Sequence, residues 1–139
     1  MTAAHTATSS LQVLLIEDNE ADADLIVHAI TRAYPSAHFD WAVSRKQFTE
    51  HLAASQYDIV IADYRLPDWT GMEALRELRH LGLDVPLILV TGELGDERAV
   101  ECVKGGAADY LLKTGNLARL PIAVTRAIEE KRVRTESRL

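Results

Sequence analysis

The amino-acid sequence predicts an α/β domain built on a doubly wound, five-stranded parallel sheet, and three observations support this. Short apolar segments alternate along the chain with segments in which apolar residues recur at helical spacing. The apolar segments are rich in Val, Ile and Leu without polar alternation, which is typical of strands covered on both faces. The clearest of them end abruptly in polar residues. Five strands that alternate with five helices favour right-handed connections and a parallel sheet.

Five segments are predicted as strands. Residues 11–16, 59–62 and 87–90 carry the strongest apolar runs, and a carboxylate or a hydroxyl side chain follows each of them. Residues 37–43 and 109–112 are weaker candidates, and the first of these contains an aromatic pair with the spacing of one strand face.

The first two helices and the start of the third are predicted from apolar spacing and capping residues. Ser44 and Gln47 have the spacing of a capping box that opens a second helix through Leu52, and Thr70 and Glu73 have the same spacing before the third. The predicted buried face of the first helix consists of Leu25, Ile26, Ala29, Ile30 and Ala33.

The remaining helical faces follow the same spacing. Gly105 and Gly106 are expected to end the fourth helix. The fifth helix continues into the charged residues 131–139, where its apolar stripe is lost. The positions that mark the last three helices are Leu75, Leu78 and Leu81, then Ala99, Val100 and Val103, then Leu117, Leu120, Val124, Ala127 and Ile128.

Composition limits the class of protein. The 139 residues suit one domain, predicted over residues 11–130 between a disordered arm at residues 1–10 and a helical extension at residues 131–139. Because 21 acidic and 15 basic residues give a net charge of −6, nucleic acid is not an expected partner. No apolar run approaches the ~20 residues of a membrane span, and residues 1–10 lack the apolar stretch of a signal peptide, so we expect a cytoplasmic protein without a membrane partner. The single cysteine, Cys102, is expected in the core.

The polar residues that follow the strands are expected to meet. In open parallel sheets the carboxyl ends of the strands share one edge, and ligands bind there. Each residue alone also fits a structural role, such as a helix cap, a turn or a surface lysine. Their joint occurrence at four strand ends favours a functional site. The predicted cluster consists of Glu17, Asp18, Asp63, Thr91 and Lys113.

This cluster has the composition of a phosphoryl-transfer site. Carboxylates packed together repel one another, and a divalent cation relieves the repulsion. Mg²⁺ prefers oxygen ligands and commonly combines one or two carboxylates with phosphate oxygens. A free carboxylate can attack phosphorus while Mg²⁺ and Lys113 neutralise charge on the transferred group. The expected product is an acyl phosphate on an aspartate.

Four motifs in this order resemble the receiver domain of two-component response regulators. They are the stretch 63–73 with its Leu-Pro and its Gly, the pairs Glu17-Asp18 and Thr91-Gly92, and the segment 109–113. They are similar to the phosphoacceptor loop, the metal-binding acidic pair, the switch hydroxyl with its small neighbour, and the fifth strand with its lysine. The resemblance covers residues 11–128 and implies a flavodoxin-like (CheY-like) fold with the strand order 2-1-3-4-5.

The resemblance implies a role for each site residue. Asp63 accepts a phosphoryl group from a histidine kinase or a histidine phosphotransfer protein. Mg²⁺ is held by Asp18, Asp63 and the backbone carbonyl of Arg65, with Glu17 binding directly or through water. Lys113 pairs with the phosphoryl oxygens. The protein is then no enzyme beyond its own phosphorylation and dephosphorylation.

The resemblance also implies a conformational switch. Thr91 moves to hydrogen-bond the new phosphoryl group, and Tyr110 rotates inward. The face formed by the fourth helix, the fifth strand and the fifth helix then meets a downstream effector protein or a second copy in a possible homodimer. Only a conformation that brings donors close to the added charge gains from it, so phosphorylation shifts the population by that differential interaction.

Two residues depart from the family pattern, and two alternatives stay open. Glu17 stands where Asp is usual, and Thr114 stands where Pro is usual, so a trans peptide is expected after Lys113. We also hypothesise that Arg65 and Glu93 approach each other and screen the acyl phosphate from water. One alternative is a receiver-like interaction module that is never phosphorylated. The other is a haloacid-dehalogenase-like phosphatase, which needs a general acid at the position of Arg65.

Overall fold

The predicted alternation of strands and helices is confirmed in a computed structural model that describes residues 10–92, 96–115 and 117–137. The strands are β1 (Gln12–Ile16), β2 (His38–Ala42), β3 (Ile59–Ala62), β4 (Leu87–Thr91) and β5 (Asp109–Leu112). The helices are α1 (Glu20–Ala33), α2 (Arg45–Ala54), α3 (Gly71–His80), α4 (Asp96–Lys104) and α5 (Leu120–Ser137), and a short 3₁₀ helix (Leu117–Arg119) precedes α5. Within the described ranges, none of the helices has the length and apolar character that a membrane-spanning segment requires.

The five strands form one parallel sheet in the predicted order β2-β1-β3-β4-β5. Ile16, the last residue of β1, pairs with Ala42 of β2 and with Ala62 of β3, so these three strands end level with one another. The chain reverses its direction of progress across the sheet between β1 and β3, and ligands bind at such switch points. The residues that follow β1 and β3 are therefore placed side by side.

Helices cover both faces of the sheet. On one face Phe48 of α2, Leu75 of α3 and Cys102 of α4 join one buried cluster. On the other face Ile26 of α1 and Val124 of α5 join a second cluster. Burial of each large apolar side chain contributes about 1.5–3 kcal/mol, so the two layers hold the strand ends in fixed positions.

The two predicted capping boxes differ in the structure. At α3 the box is complete, because the Thr70 side chain accepts from the Glu73 N–H at 3.2 Å and the Glu73 carboxylate accepts from the Thr70 N–H at 3.0 Å. At α2 the Ser44 side chain accepts from the Gln47 N–H, but the Gln47 side chain accepts from the N–H of Val43 rather than that of Ser44. Half of the predicted box at α2 is therefore displaced by one residue.

Five apolar residues that were expected on buried faces are exposed: Leu25, Ala33, Leu81, Val100 and Val103. In α1 the buried face is narrower than predicted and contains Ala23, Ile26 and Ile30. Leu81 caps the carboxyl end of α3 instead of belonging to its buried face. These predictions were wrong because apolar spacing identifies a helix but fixes its rotation against the sheet only to within about one residue.

Candidate functional site

Three carboxylates meet at the carboxyl edge of the sheet, as the strand ends predict. Glu17 and Asp18 follow β1, and Asp63 follows β3. The Asp63 N–H donates to the carbonyl of Ile16 at 3.0 Å, which fixes the two strand ends side by side. One oxygen atom of each carboxylate lies within 4.8 Å of the other two. Glu17 is fully buried and Asp63 nearly so, whereas Asp18 is exposed.

Lys113 is the cation that faces these carboxylates. Its Nζ lies 2.9 Å from Asp63 Oδ2, 2.9 Å from Glu17 Oε1 and 2.7 Å from Asp22 Oδ2. One ammonium group therefore contacts three carboxylates from three different elements of the fold, and Asp18 adds a fourth negative charge nearby. The resulting excess of negative charge attracts a further cation.

Burial disfavours the charged form of Glu17. Burial raises the pKa of Glu17 to about 7, while Lys113 and the Asn19 N–H oppose the shift and the charge of Asp63 reinforces it. Glu17 Oε2 accepts from the Asn19 N–H at 3.2 Å. Its Oε1 touches Lys113 Nζ but receives no hydrogen bond of good geometry from any described residue. A buried carboxylate oxygen that is ion-paired with Lys113 but accepts no well-oriented hydrogen bond from a described residue, beside two further carboxylates, fits a divalent cation that binds oxygen.

Lys113 is held in its charged form. Burial lowers the pKa of its ammonium group, but the hydrogen bonds to Asp22 and Asp63 and the ion pair with Glu17 outweigh the burial and raise the pKa above its usual value. The ammonium therefore keeps its charge at neutral pH and neutralises negative charge at Asp63.

Comparison with known protein families identifies the family of this chain. The profile of the response regulator receiver domain matches residues 13–125. The chain belongs to this family. The regulatory protein AtoC of Escherichia coli K12 is 31% identical over 132 residues, which cover 94% of this receiver domain chain and 28% of AtoC. The transcriptional regulatory protein QseB of Escherichia coli O157:H7 is 36% identical over 103 residues, which cover 74% of the chain and 46% of QseB.

Solved structures with the same fold include further receiver domains. The signal receiver domain of a putative Luxo repressor protein from Vibrio parahaemolyticus superposes with a TM-score of 0.81 at 22% identity, over 93% of this chain and 98% of that one. A CheY-like receiver domain protein from Methanospirillum hungatei gives a TM-score of 0.77 at 21% identity, over 91% and 99% of the two chains. The present chain spans less than half of the length of the two curated relatives.

The loop after Asp63 folds tightly against the start of α3 of the receiver domain. The Arg65 N–H donates to Asp63 Oδ1 at 3.2 Å, and the Gly71 N–H donates to the carbonyl of Tyr64 at 2.9 Å. A Cβ atom at Gly71 would lie 2.7 Å from the carbonyl oxygen of Asp63, so this position has no room for a side chain. The Arg65 side chain is exposed, and the role of its carbonyl stays a prediction.

Thr91 and Tyr110 lie on the two strands beside the carboxylates. Thr91 ends β4, is 2% exposed and accepts the Lys113 N–H at its carbonyl at 2.8 Å. Tyr110 pairs with Leu89 across β4 and β5 and packs, partly buried, against the core cluster of α2, α3 and α4. The structure thus places Thr91 against Lys113 and Tyr110 on the same strand that leads to Lys113, while the movement of both residues stays a prediction.

The sequence analysis missed two residues of the receiver site. Asp22 reaches Lys113 from the first turn of α1, and the only sequence sign of this is its place three residues after the Asn19 cap. Trp41 of β2 is 39% exposed, and its indole N–H donates to the carbonyl of Glu17 at 2.5 Å. Trp41 had only the spacing of an aromatic strand face, which carries no sign of this bond.

Several predictions concern the ends and loops of the receiver domain. The peptide between Lys113 and Thr114 is trans, as expected, and Gly115 at φ +88° turns the loop that follows. α5 continues through residues 131–137 of the predicted extension. Glu93 lies outside the described residues, as do residues 1–9 and 138–139, so the approach of Arg65 to Glu93 stays a prediction.

Proposed function

We propose that this receiver domain is a phosphorylation-activated switch in which Asp63 accepts a phosphoryl group from a histidine kinase or a histidine phosphotransfer protein. The observation that supports this most is the 2.9 Å contact between Lys113 Nζ and Asp63 Oδ2, beside Glu17 and Asp18 at the edge of the sheet. The contact places a fixed positive charge where a phosphoryl group on Asp63 would carry its negative oxygens.

The transfer requires a nucleophile and a way to neutralise charge. A carboxylate oxygen of Asp63 attacks the phosphorus of a phosphohistidine, and the new P–O bond forms as the P–N bond breaks. The leaving imidazole nitrogen keeps the bonding electron pair. Lys113 neutralises the phosphoryl oxygens, and the Arg65 N–H already fixes Asp63 Oδ1 at 3.2 Å.

The donor set at this edge fits Mg²⁺. Glu17, Asp18, Asp63 and the backbone carbonyl of Arg65 would hold the ion. When bound, Mg²⁺ neutralises charge on the phosphoryl oxygens and on the carboxylates, which reduces the repulsion between a carboxylate nucleophile and an anionic donor. The observation in this structure that favours such a ligand role is that the buried Oε1 of Glu17 accepts no well-oriented hydrogen bond from a described residue.

In the proposed switch, the conformation of the domain responds to the charge that phosphorylation adds. Phosphorylation adds about −1.5 to −2 charge and three acceptor oxygens. Thr91 then donates its hydroxyl to the phosphoryl group, and Tyr110 rotates inward to remodel the face of α4, β5 and α5. Val100 and Val103 of α4 are 53% and 52% exposed, which supports this face as the surface for an effector protein or for a second copy in a homodimer.

We further propose that the domain acts in the cytoplasm and turns over no external substrate. Its chemistry is limited to its own phosphorylation and to hydrolysis of the acyl phosphate. The names of relatives such as AtoC and QseB, which are regulatory proteins, support a place in signal transduction.

The proposal is tested by incubation with acetyl phosphate and Mg²⁺, followed by intact mass measurement. Wild-type protein is expected to gain one phosphoryl group, and Asp63→Asn to gain none. Asp68→Asn, which changes an exposed carboxylate of the same loop, is the matched control and is expected to be labelled like wild type. A chelator is expected to abolish the gain.

Other outcomes would contradict the proposal in distinct ways. Absence of labelling in wild type would favour the receiver-like module that only docks to partners. Equal labelling of Asp63→Asn would place the acceptor elsewhere. Multiple turnovers of a generic phosphate ester would favour the phosphatase alternative.

A further inference from the structure

Asp22 makes the shortest contact to Lys113, although it follows no strand of the sheet. The distance from Lys113 Nζ to Asp22 Oδ2 is 2.7 Å, against 2.9 Å to Glu17 and to Asp63. Asp22 lies in the first turn of α1, so it approaches the lysine from the helix layer rather than from the sheet. Lys113 is 12% exposed and Asp22 is 32% exposed, so the contact between them is partly shielded from water.

The carboxylate of Asp22 is not needed to cap its helix. Asn19 is the cap residue, and its side chain accepts from the Asp22 backbone N–H at 2.9 Å. The Asp22 side chain instead spans to a lysine that is 91 positions away in the sequence. An aspartate in the first turn also interacts favourably with the helix dipole, but that interaction does not require the contact with Lys113.

Asp22 also stands apart from the carboxylates that can bind a metal. Over the described ranges, only Glu17, Asp18 and Asp63 offer oxygens within 4.8 Å of one another, and Asp22 is outside this group. A cation bound there engages two of the three partners of Lys113. Asp22 is then the one partner of the three that remains committed to the lysine.

We propose that Asp22 is a positioning residue that keeps the Lys113 ammonium in the site while Mg²⁺ occupies Glu17, Asp18 and Asp63. Mg²⁺ and the ammonium are both positive and repel each other at short range. The contact with Asp22 opposes this repulsion, because it retains the lysine close to Asp63, where the phosphoryl oxygens arrive. The inference rests on the proposed function and adds a residue to it.

The experiment follows the side-chain ammonium resonance of Lys113 by NMR, with and without Mg²⁺ and without any phosphoryl donor. The resonance is assigned by its loss in Lys113→Arg. The test variant is Asp22→Asn, which keeps the shape and removes the charge, and Asp22→Glu restores the charge. The matched control is Asp24→Asn, which removes the same charge from an exposed position of the same helix.

We expect the Lys113 resonance to survive Mg²⁺ addition in wild type, Asp24→Asn and Asp22→Glu. In Asp22→Asn it is expected to be present without Mg²⁺, because Glu17 and Asp63 still hold the lysine, and to broaden beyond detection when Mg²⁺ is added. At saturating Mg²⁺ the rate of labelling by acetyl phosphate is expected to fall about tenfold in Asp22→Asn alone.

Two results would overturn the role of Asp22. One is an Mg²⁺-saturated Asp22→Asn protein with the resonance intact. The other is loss of the resonance in that variant before Mg²⁺ is added, which would mean that Glu17 and Asp63 do not suffice. Failure of the wild-type protein to bind Mg²⁺ would overturn both this inference and the metal-dependent function, whereas the first two results leave the function intact.

Discussion

Two cations in this molecule each lie between several carboxylates, yet their surroundings differ. Lys113 is 12% exposed and contacts Glu17, Asp22 and Asp63, which belong to three different parts of the fold. Arg132 of α5 is 54% exposed and forms ion pairs with Glu129 and Glu136 of its own helix. We refer to these groups as the Lys113 cluster and the Arg132 cluster.

The comparison shows that burial, rather than the number of contacts, gives a charge cluster its energetic weight. The partners of Arg132 are three and four residues away on one helix, where water and salt screen the pairs. Glu17 and Asp63 are placed by the order of the strands and are at most 10% exposed, whereas Asp22 reaches Lys113 from α1 and is 32% exposed. Only in the second case does removal of one member leave buried charges without compensation.

The largest expected effect is that of Lys113→Met on stability. Loss of the ammonium leaves Glu17 and Asp63 buried without their cation, and the free energy of unfolding in a chelator is expected to fall by about 3 kcal/mol. Mg²⁺ is expected to recover part of the loss, since it replaces the missing positive charge. Urea unfolding with and without Mg²⁺ measures both effects.

The control for this change is Lys46→Met, which removes an exposed lysine of α2 and is expected to leave stability nearly unchanged. An equal loss from the two variants would contradict the distinction between buried and exposed charges. A loss in Lys113→Met that is the same with and without Mg²⁺ would contradict a shared role of the two cations.

The next effect is a dependence of stability on pH. The pKa of Glu17 in the folded protein is about 7, above its usual value of 4.5, so the folded state binds this proton more tightly than the unfolded chain. The contribution of Glu17 to stability is therefore greatest below the unfolded pKa and falls as the pH rises through about 7. The fall amounts to at most about 3 kcal/mol.

This dependence is isolated by subtracting a variant. With a chelator present, the free energy of unfolding of wild type is expected to fall relative to that of Glu17→Gln between about pH 5 and about pH 8. The control is Glu129→Gln of the Arg132 cluster. Because Arg132 lowers the pKa of Glu129, the stability difference between wild type and this variant is expected to stay constant over this range. A constant difference for Glu17 as well would show that its burial does not affect its protonation.

A smaller effect is expected when the Lys113 cluster is disturbed without changing a charge. In Gly71→Ala the new Cβ atom meets the carbonyl oxygen of Asp63 at 2.7 Å and a side-chain carbon of Leu89 at 2.4 Å, so the loop that carries Asp63 must shift. We expect a loss of about 2 kcal/mol and weaker Mg²⁺ binding. Urea unfolding measures the loss of stability, and a Mg²⁺ titration monitored by tryptophan fluorescence measures the binding.

Gly92→Ala is the matched control, because a Cβ atom there meets no atom of the described residues within 4 Å. It is expected to retain the stability of wild type. If Gly71→Ala were as stable as wild type and bound Mg²⁺ equally well, the geometry of the carboxylates would not depend on the close approach of the Gly71 backbone to the carbonyl oxygen of Asp63.

The two clusters also show which contacts the sequence can predict. Both the Arg132 pairs and the strand-end positions of Glu17, Asp63 and Lys113 follow from local patterns, helical spacing in one case and apolar runs in the other. The strand order then brings the strand ends together, because parallel strands share one carboxyl edge. The fold class and the meeting of these carboxylates with Lys113 were therefore predictable from local patterns, whereas the strand order was predicted from the resemblance to receiver domains.

The side-chain contacts across layers were not predictable. Asp22 and Lys113 are 91 positions apart, and their contact depends on the rotation of α1 about its axis and on the reach of a flexible lysine. The bond from Trp41 to the carbonyl of Glu17 depends on the tilt of an indole at the edge of the sheet. The exposed Leu25 reflects the same uncertainty of rotation. Local spacing determines none of these quantities.

The smallest effect is expected from Arg132→Ala, the counterpart of Lys113→Met. Its ion pairs with Glu129 and Glu136 join side chains that are all more than half exposed. Alanine is also the better helix former, which offsets what the pairs contribute. We expect no measurable change in the urea midpoint at low salt or at about 1 M salt. A midpoint shift as large as that of Lys113→Met would show that exposure to water does not weaken a charge cluster, because both cations contact more than one carboxylate and the clusters differ in exposure.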